Sequence, residues 1–383
     1  MFVVPISTQR YSHRRITKRR PIARQTPGSS SGTMVAASPS QNSAQTCSYC
    51  YVKAGSAACS VLRWCAKCQK RRYCSRDCQV ADWKAGHKHW CGKSGELDFY
   101  FEVRVSPGKG LGVFALRAFE RNEKIMAERP VVVFHNGGES MLRALESLRP
   151  SMRQAVEDLE PFQGPGINPG VASTSHLVRK VQRNCMSLGD EEGAGTGLFI
   201  VMSRVNHCCV GQASHWFAGS QCVKLLVAVK SISPGDEITM SYTKTVPYKQ
   251  RQAKLKLAYG FQCSCPGCTD PELRSALDQD HEMDEALPRL MQHPSTLPKA
   301  IRLGKQLLAK REDLGLLEGC YRVCYDLFQA LVMQRSTLKE AQFYVRKAAQ
   351  VYEAFVGISD AQSKRYRALA ADPSVHRNYL LLS

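Results

Sequence analysis

The sequence predicts an α+β fold: a small metal-dependent module, a β-rich domain closed by a further metal cluster, and a helical C-terminal lobe. Three observations predict it. Eight metal-type ligands crowd between Cys47 and Cys91, short strand-and-turn texture fills the region after residue 99, and helical periodicity takes over after about residue 273. The chain is long enough, at 383 residues, for two or three domains with cores of their own.

Taken in order, residues 1–46 read as a basic disordered tail, with seven Arg/Lys, no acid and no periodicity. The run Arg14-Arg15-Ile16-Thr17-Lys18-Arg19-Arg20 suits nuclear localisation. An acid-free N-terminus also fits a mitochondrial transit peptide, but Pro5, Pro21 and Pro27 interrupt the helix such a peptide needs. The expected compartment is nuclear or cytoplasmic. Residues 47–93 add ten basic and two acidic residues, so the remaining 290 carry only +5 of the net +20. Basicity concentrated in the N-terminal third predicts contact with nucleic acid or chromatin. No run of eighteen apolar residues occurs, and no membrane span is expected.

The ligands of residues 47–91 come in pairs: Cys47-x2-Cys50, Cys65-x2-Cys68, Cys74-x3-Cys78 and His87-x3-Cys91. Such spacing lets one turn present two donors to a tetrahedral zinc, and four pairs make two sites. That spacing, in a chain with 17 cysteines and no secretory signal, argues for metal rather than disulfides. Adjacent pairs could share a zinc, or the pairs could interleave. Trp83 and Trp90 are expected to pack beside the ligands.

The β-rich domain is placed at 99–245, with strands at 99–105, 112–116, 124–134 and 221–228 and a helical insert at about 138–181. Residues 189–197 read as an exposed loop. Cys263-x-Cys265-x2-Cys268, in a segment set at 246–272, offers three more ligands and needs a fourth donor, for which Cys208 and Cys209 are adjacent candidates. In the lobe at 273–383, Leu317, Cys320, Tyr321, Cys324, Phe328 and Leu331 share one helical face. Thr337 and Glu340 form a capping box that opens a second helix, which Gly357 ends. The two helices resemble a helical-repeat unit.

Several motifs in order carry a resemblance. Residues 47–91 are similar to a MYND zinc finger at all eight ligand positions. The chain from there to about residue 270 resembles a SET-domain protein-lysine methyltransferase, specifically the SET-and-MYND family, and the helical lobe after it is like the family's but carries no motifs. The likeness lies in Gly108-Lys109-Gly110-Leu111-Gly112, Asn206-His207-Cys208-Cys209, Gly235-Asp236-Glu237-Ile238-Thr239-Met240-Ser241-Tyr242 and Tyr259-Gly260-Phe261 with its following cysteines. It implies S-adenosylmethionine as cofactor, held by Lys109, Gly110, Asn184, Asn206, His207, Tyr242 and Phe261. It implies Tyr242 and Tyr259 as the catalytic pair lining a lysine channel. It implies three zinc ions: Cys47, Cys50, Cys74 and Cys78 on one, Cys65, Cys68, His87 and Cys91 on the next, and Cys263, Cys265 and Cys268 with Cys209, favoured by motif register, on the third. A protein lysine is the implied substrate and proline-rich peptides are implied partners of the finger.

The chain departs from the family pattern where Gly211-Gln212 replaces Pro-Asn, which is expected to loosen a turn beside the cofactor. The finger also precedes the glycine motif instead of interrupting the domain. Two rival functions follow: a catalytically inactive interaction module, and a nucleic-acid binder working through its basic end.

Overall fold

The computed structural model describes residues 46–69, 71–85, 87–89, 91, 100–135, 138–159, 176–189, 195–219, 222–243, 246–356 and 361–383. The basic tail and the expectations placed on Trp90 and Gly357 lie outside the described residues.

The finger has almost no apolar core of its own. Strands β1 (Arg63–Trp64) and β2 (Arg72–Tyr73) pair antiparallel, and helix α1 (Arg76–Ala85) follows. Its interior is the ligand set itself, packed with Tyr73 and Val52. A core that small depends on metal for most of its folding free energy, on the order of 10 kcal/mol per site.

The β-rich domain opens with β3 (Phe101–Ser106) and β4 (Gly110–Ala115), an antiparallel hairpin in register from Phe101↔Ala115 to Ser106↔Gly110. Its turn needs glycine, since Gly108 and Gly110 take φ of +75° and +79°. The region expected as one strand from 124 to 134 is two. Strand β5 (Lys124–Glu128) pairs with one sheet and β6 (Val132–Phe134) with another. The break falls at Pro130, which has no N–H to continue a ladder.

Helices α2 (Gly138–Glu146), α3 (Pro150–Glu157) and α4 (His176–Asn184) make the insert. Strands β7 (Cys185–Ser187), β8 (Thr196–Leu198), β9 (Asn206–His207), β10 (Ala213–Ala218), β11 (Val223–Ala228) and β12 (Glu237–Met240) complete the domain. Thr196 and Gly197, expected in an exposed loop, belong instead to β8, where Gly197 packs against Leu188, Pro130 and Phe199.

The main sheet runs β3-β4-β12-β10-β11-β5, with β9 alongside β12, while β6-β8-β7 form a smaller sheet. Every residue of β11 is buried, and its period-2 alternation divides it between two cores. Leu226 and Ala228 join Phe119, Ile125 and Ile238, whereas Val223, Leu225 and Val227 face the helical lobe.

That lobe comprises α5 (Tyr248–Tyr259), α6 (Pro266–Thr269), α7 (Pro271–Leu290), α8 (Leu297–Leu314), α9 (Cys320–Leu331), α10 (Leu338–Val356) and α11 (Ala361–Ala371). Asp270 caps α7, accepting from the amides of Glu272 and Leu273. Helix α9 was expected to bury one face. It is buried on all sides, with only Arg322 of its residues partly exposed, because it lies between helices and the sheet.

The expected capping box does not form. The Thr337 hydroxyl donates to the carbonyls of Leu331 and Gln334, and Glu340 pairs with Lys305 at 2.6 Å. Thr296 makes the same two contacts, to Leu290 and His293, before α8. A repeated Ser-Thr-Leu turn, 41 residues apart, therefore launches both helices.

Candidate functional site

Among the described residues the ligands gather into three groups: Cys47, Cys50, Cys74, Cys78; Cys65, Cys68, His87, Cys91; and Cys209, Cys263, Cys265, Cys268. Donor atoms within each group lie within 4.8 Å of one another. Sulfur pairs stand 3.5 Å apart for Cys50–Cys74 and Cys74–Cys78, 3.7 Å for Cys65–Cys91 and 3.5 Å for Cys209–Cys268. A tetrahedron with metal–sulfur bonds of about 2.3 Å has edges of about 3.8 Å, whereas a disulfide would need about 2.05 Å. These donor sets fit zinc. Of the two adjacent cysteines, Cys209 joins the third group and Cys208 stays outside it.

The second group shows a full outer shell. His87 Nε2 lies 3.4 Å from Cys68 Sγ, and its Nδ1 lies 2.9 Å from the Tyr73 hydroxyl. That hydroxyl donates to Asp82 at 2.6 Å, and Arg71 grips both Asp82 oxygens. An imidazole bound through Nε2 keeps its proton on Nδ1, so the chain fixes the ring's tautomer and orientation. All four ligand positions of each finger group are filled by protein, as in structural rather than catalytic zinc sites.

Beyond the finger, a cleft of about 1070 Å³ opens where β4, β9, β12 and the end of α5 meet. Lys109, Gly110, Asn184, Asn206, His207, Tyr242, Tyr259 and Phe261 all line it. The sequence placed these eight in five separate segments, and the fold brings them to one wall system. Cys263 and Cys265 border the same cleft.

Glu237, to which the sequence reading assigned no role, organises one side. It accepts from Ser106 Oγ at 2.8 Å, Lys109 Nζ at 2.7 Å and Asn206 Nδ2 at 2.8 Å. Burial pulls its carboxyl up, but the bonds from Lys109, Asn206 and Ser106 outweigh this and hold its pKa below the usual value. Asn206 also donates to the Leu111 carbonyl at 3.0 Å, so both its amide hydrogens are engaged. A Cβ on Gly112 would come within 2.7 Å of Glu237 Oε1 and 3.1 Å of Asn206 Nδ2, which explains that glycine. The signal available in the sequence was an acid between two motif residues; its partners are 131, 128 and 31 positions away and left no local trace.

His207 connects the third metal group to Tyr242. The Tyr242 amide donates to His207 Nδ1 at 3.0 Å, which leaves the ring proton on Nε2, 3.3 Å from Cys209 Sγ. Burial pushes the His207 pKa down to about 4, so the ring is neutral at pH 7. The rings of His207, Tyr242, Tyr259 and Phe261 are clustered, Tyr242 and Tyr259 with centroids 4.8 Å apart. The Tyr242 hydroxyl donates to the Val205 carbonyl at 2.7 Å. Burial raises the pKa of both tyrosines, so both keep their protons at neutral pH.

The Gly211-Gln212 turn is closed, contrary to expectation. The Gly211 amide donates to Cys208 O at 3.1 Å, the Gln212 carbonyl accepts from Val229 at 2.7 Å, and the Gln212 side chain accepts from Thr239 Oγ1 at 2.8 Å.

Comparison with known proteins agrees with this geometry. Residues 110–243 match the family model for the SET domain and residues 47–91 the model for the MYND finger. The chain is 26% identical over 272 residues to the N-lysine methyltransferase SMYD2-A of Danio rerio, a match covering 67% of this chain and 60% of that protein. It is 28% identical over 240 residues to the histone-lysine N-methyltransferase ASHR1 of Arabidopsis thaliana, covering 59% and 46%. With the N-lysine methyltransferase SMYD2 of Homo sapiens it shares 24% over 285 residues, covering 71% and 63%. The chain thus spans less than two thirds of the length of these relatives.

Proposed function

This chain belongs to the family that joins a MYND finger to a SET domain, and from that premise we propose that it methylates lysine side chains of proteins, using S-adenosylmethionine. The observation that carries the reading is the single cleft in which Asn206, His207 and Phe261 adjoin the Tyr242–Tyr259 pair.

The cleft suits that cofactor. It offers an aromatic face at Phe261, the amide oxygen of Asn206, a glycine turn left uncovered at Gly108, and the carboxylates of Asp236 and Glu237. Its volume accommodates a nucleoside together with an alkyl side chain. When bound, the cofactor supplies an electrophilic methyl on a positive sulfonium.

The chain's own residues must then deliver a neutral amine. A lysine with a pKa of about 10.4 costs roughly 4–5 kcal/mol to deprotonate at pH 7. Neither Tyr242 nor Tyr259 is a base there, since both hydroxyls stay protonated. With its proton committed to Val205, the Tyr242 oxygen is left as an acceptor that can orient an amine N–H. Burial in the channel lowers the substrate lysine's own pKa, and Arg183, which also lines the cleft, adds repulsion to its charged form.

We assign zinc to all three cysteine groups. Val61, Trp64, Val80 and Trp83 are each exposed on the finger, and we assign proline-rich peptides to it as partners. Methyl transfer from labelled S-adenosylmethionine to histones and to a lysate tests the reading. Tyr242→Phe is expected to lower incorporation into lysine by about 100-fold with zinc content unchanged. A folded, zinc-loaded wild type that neither transfers methyl nor binds the cofactor would leave the inactive interaction module as the better reading.

A further inference from the structure

Glu128 ends β5 with only 6% of its surface exposed, yet it belongs to neither the cleft nor a metal group. Four donor contacts converge on its two oxygens. The Tyr51 hydroxyl reaches Oε1 at 3.1 Å, the Val201 amide reaches Oε1 at 2.9 Å and Oε2 at 3.1 Å, and the Met202 amide reaches Oε2 at 2.7 Å. A carboxylate this deep is tolerated because those donors replace water.

Each partner leads somewhere. Tyr51 follows Cys50 directly in the first zinc knuckle, is held in the left-handed region at φ +62°, and donates its amide to Cys47 O at 3.0 Å. Val201 precedes and Met202 opens the 3-10 turn Met202–Arg204, closed by the Val205 amide on Met202 O at 3.1 Å. Val205 O is the acceptor for the Tyr242 hydroxyl, and Asn206 and His207 come next. One carboxylate therefore joins the finger to the start of the segment that places both the cofactor-side motif and Tyr242.

We propose that Glu128 is a positioning residue: through Val201 and Met202 it sets the 201–207 segment for cofactor binding, and through Tyr51 it makes that setting depend on the finger. The proposal rests on the methyltransferase reading for its functional consequence, though not for its structural one.

Amide replacement separates positioning from mere charge. In Glu128→Gln the amide oxygen can take the Oε2 position and accept from Val201 and Met202, while its NH₂ donates to a Tyr51 hydroxyl that turns to accept; only the second Val201 contact, the one to Oε1, is lost. In Glu128→Ala both amides and the hydroxyl lose their partner. The full-length, zinc-loaded variants would be compared by calorimetry with S-adenosylhomocysteine and by hydrogen exchange across 199–207.

Glu128→Ala is expected to weaken binding about tenfold and to speed exchange from Val201 through His207. Tyr51→Phe should weaken binding about threefold, and Glu128→Gln should fall between wild type and Glu128→Ala. Unchanged affinity with faster exchange confined to Val201 and Met202, or a Gln variant as impaired as Ala, overturns the proposal. If wild type binds no S-adenosylhomocysteine, the methyltransferase reading falls, and exchange at Asn206 and His207 decides the positioning role alone. If Glu128→Ala does not fold, Tyr51→Phe decides: unaltered exchange across 201–207 overturns it.

Discussion

At position 211 a Cβ would lie 2.5 Å from the Thr239 carbonyl oxygen and 2.9 Å from Met240 Cα. Backbone, not a yielding side chain, is what it would meet, so the glycine is a steric requirement of this chain. Proline, present here in the family pattern, would also remove the amide that bonds Cys208 O. The departure from the pattern is thus compensated locally, with Gln212 and Thr239 bonded beside it. Gly211→Ala should cost roughly 2 kcal/mol or more, because it must push β12 away from the turn that carries Cys209. Thermal unfolding with zinc quantified in parallel checks this. An unchanged melting temperature would mean that β12 moves without penalty and that the turn does not depend on glycine.

Among the elements, α7 and α8 are fastened by one buried guanidinium. Arg311 contacts Asp280 through Nε at 2.7 Å, Asp284 at 2.8 Å and Gly319 O at 3.2 Å. Burial works against its charge, but Asp280 and Asp284 more than offset this and raise its pKa. Removing it leaves a fully buried Asp280 without its cation, so Arg311→Met should lose about 3–5 kcal/mol, measured by denaturant unfolding. Adding Asp280→Leu should recover part of that loss. A double variant no better than the single would show that lost packing, not a stranded charge, sets the cost.

Legibility follows the same divide between local and distant causes. The zinc ligands could be read because coordination fixes their spacing, and the glycine turn because positive φ demands glycine. The strand β10 went unread because Ser214, His215 and Trp216 carry no strong alternation, and its pairing with β11 supplies the signal. The all-round burial of α9, the Glu237 cluster and the Tyr51–Glu128 contact depend on residues far apart in sequence, which no local pattern encodes.

For the whole molecule, the distribution of cores predicts how it comes apart. The finger's interior is built from ligands, and the third metal group forms a small cluster with Leu277. The largest core joins α7 to α11 with one face of β10, β11 and β5, and none of the twelve metal-group residues belongs to it. A strong chelator should therefore remove about three zinc ions per chain and unfold the finger while leaving the helical lobe folded, because metal supplies folding free energy only where the core is made of ligands. Metal release, far-UV circular dichroism and hydrogen exchange on one titration would resolve this. Early loss of protection is expected in 47–91 and around Cys209, with α9 and α10 protected until much later. Simultaneous loss everywhere would show instead that the finger and the lobe fold as one cooperative unit, with the zinc sites supporting the entire chain.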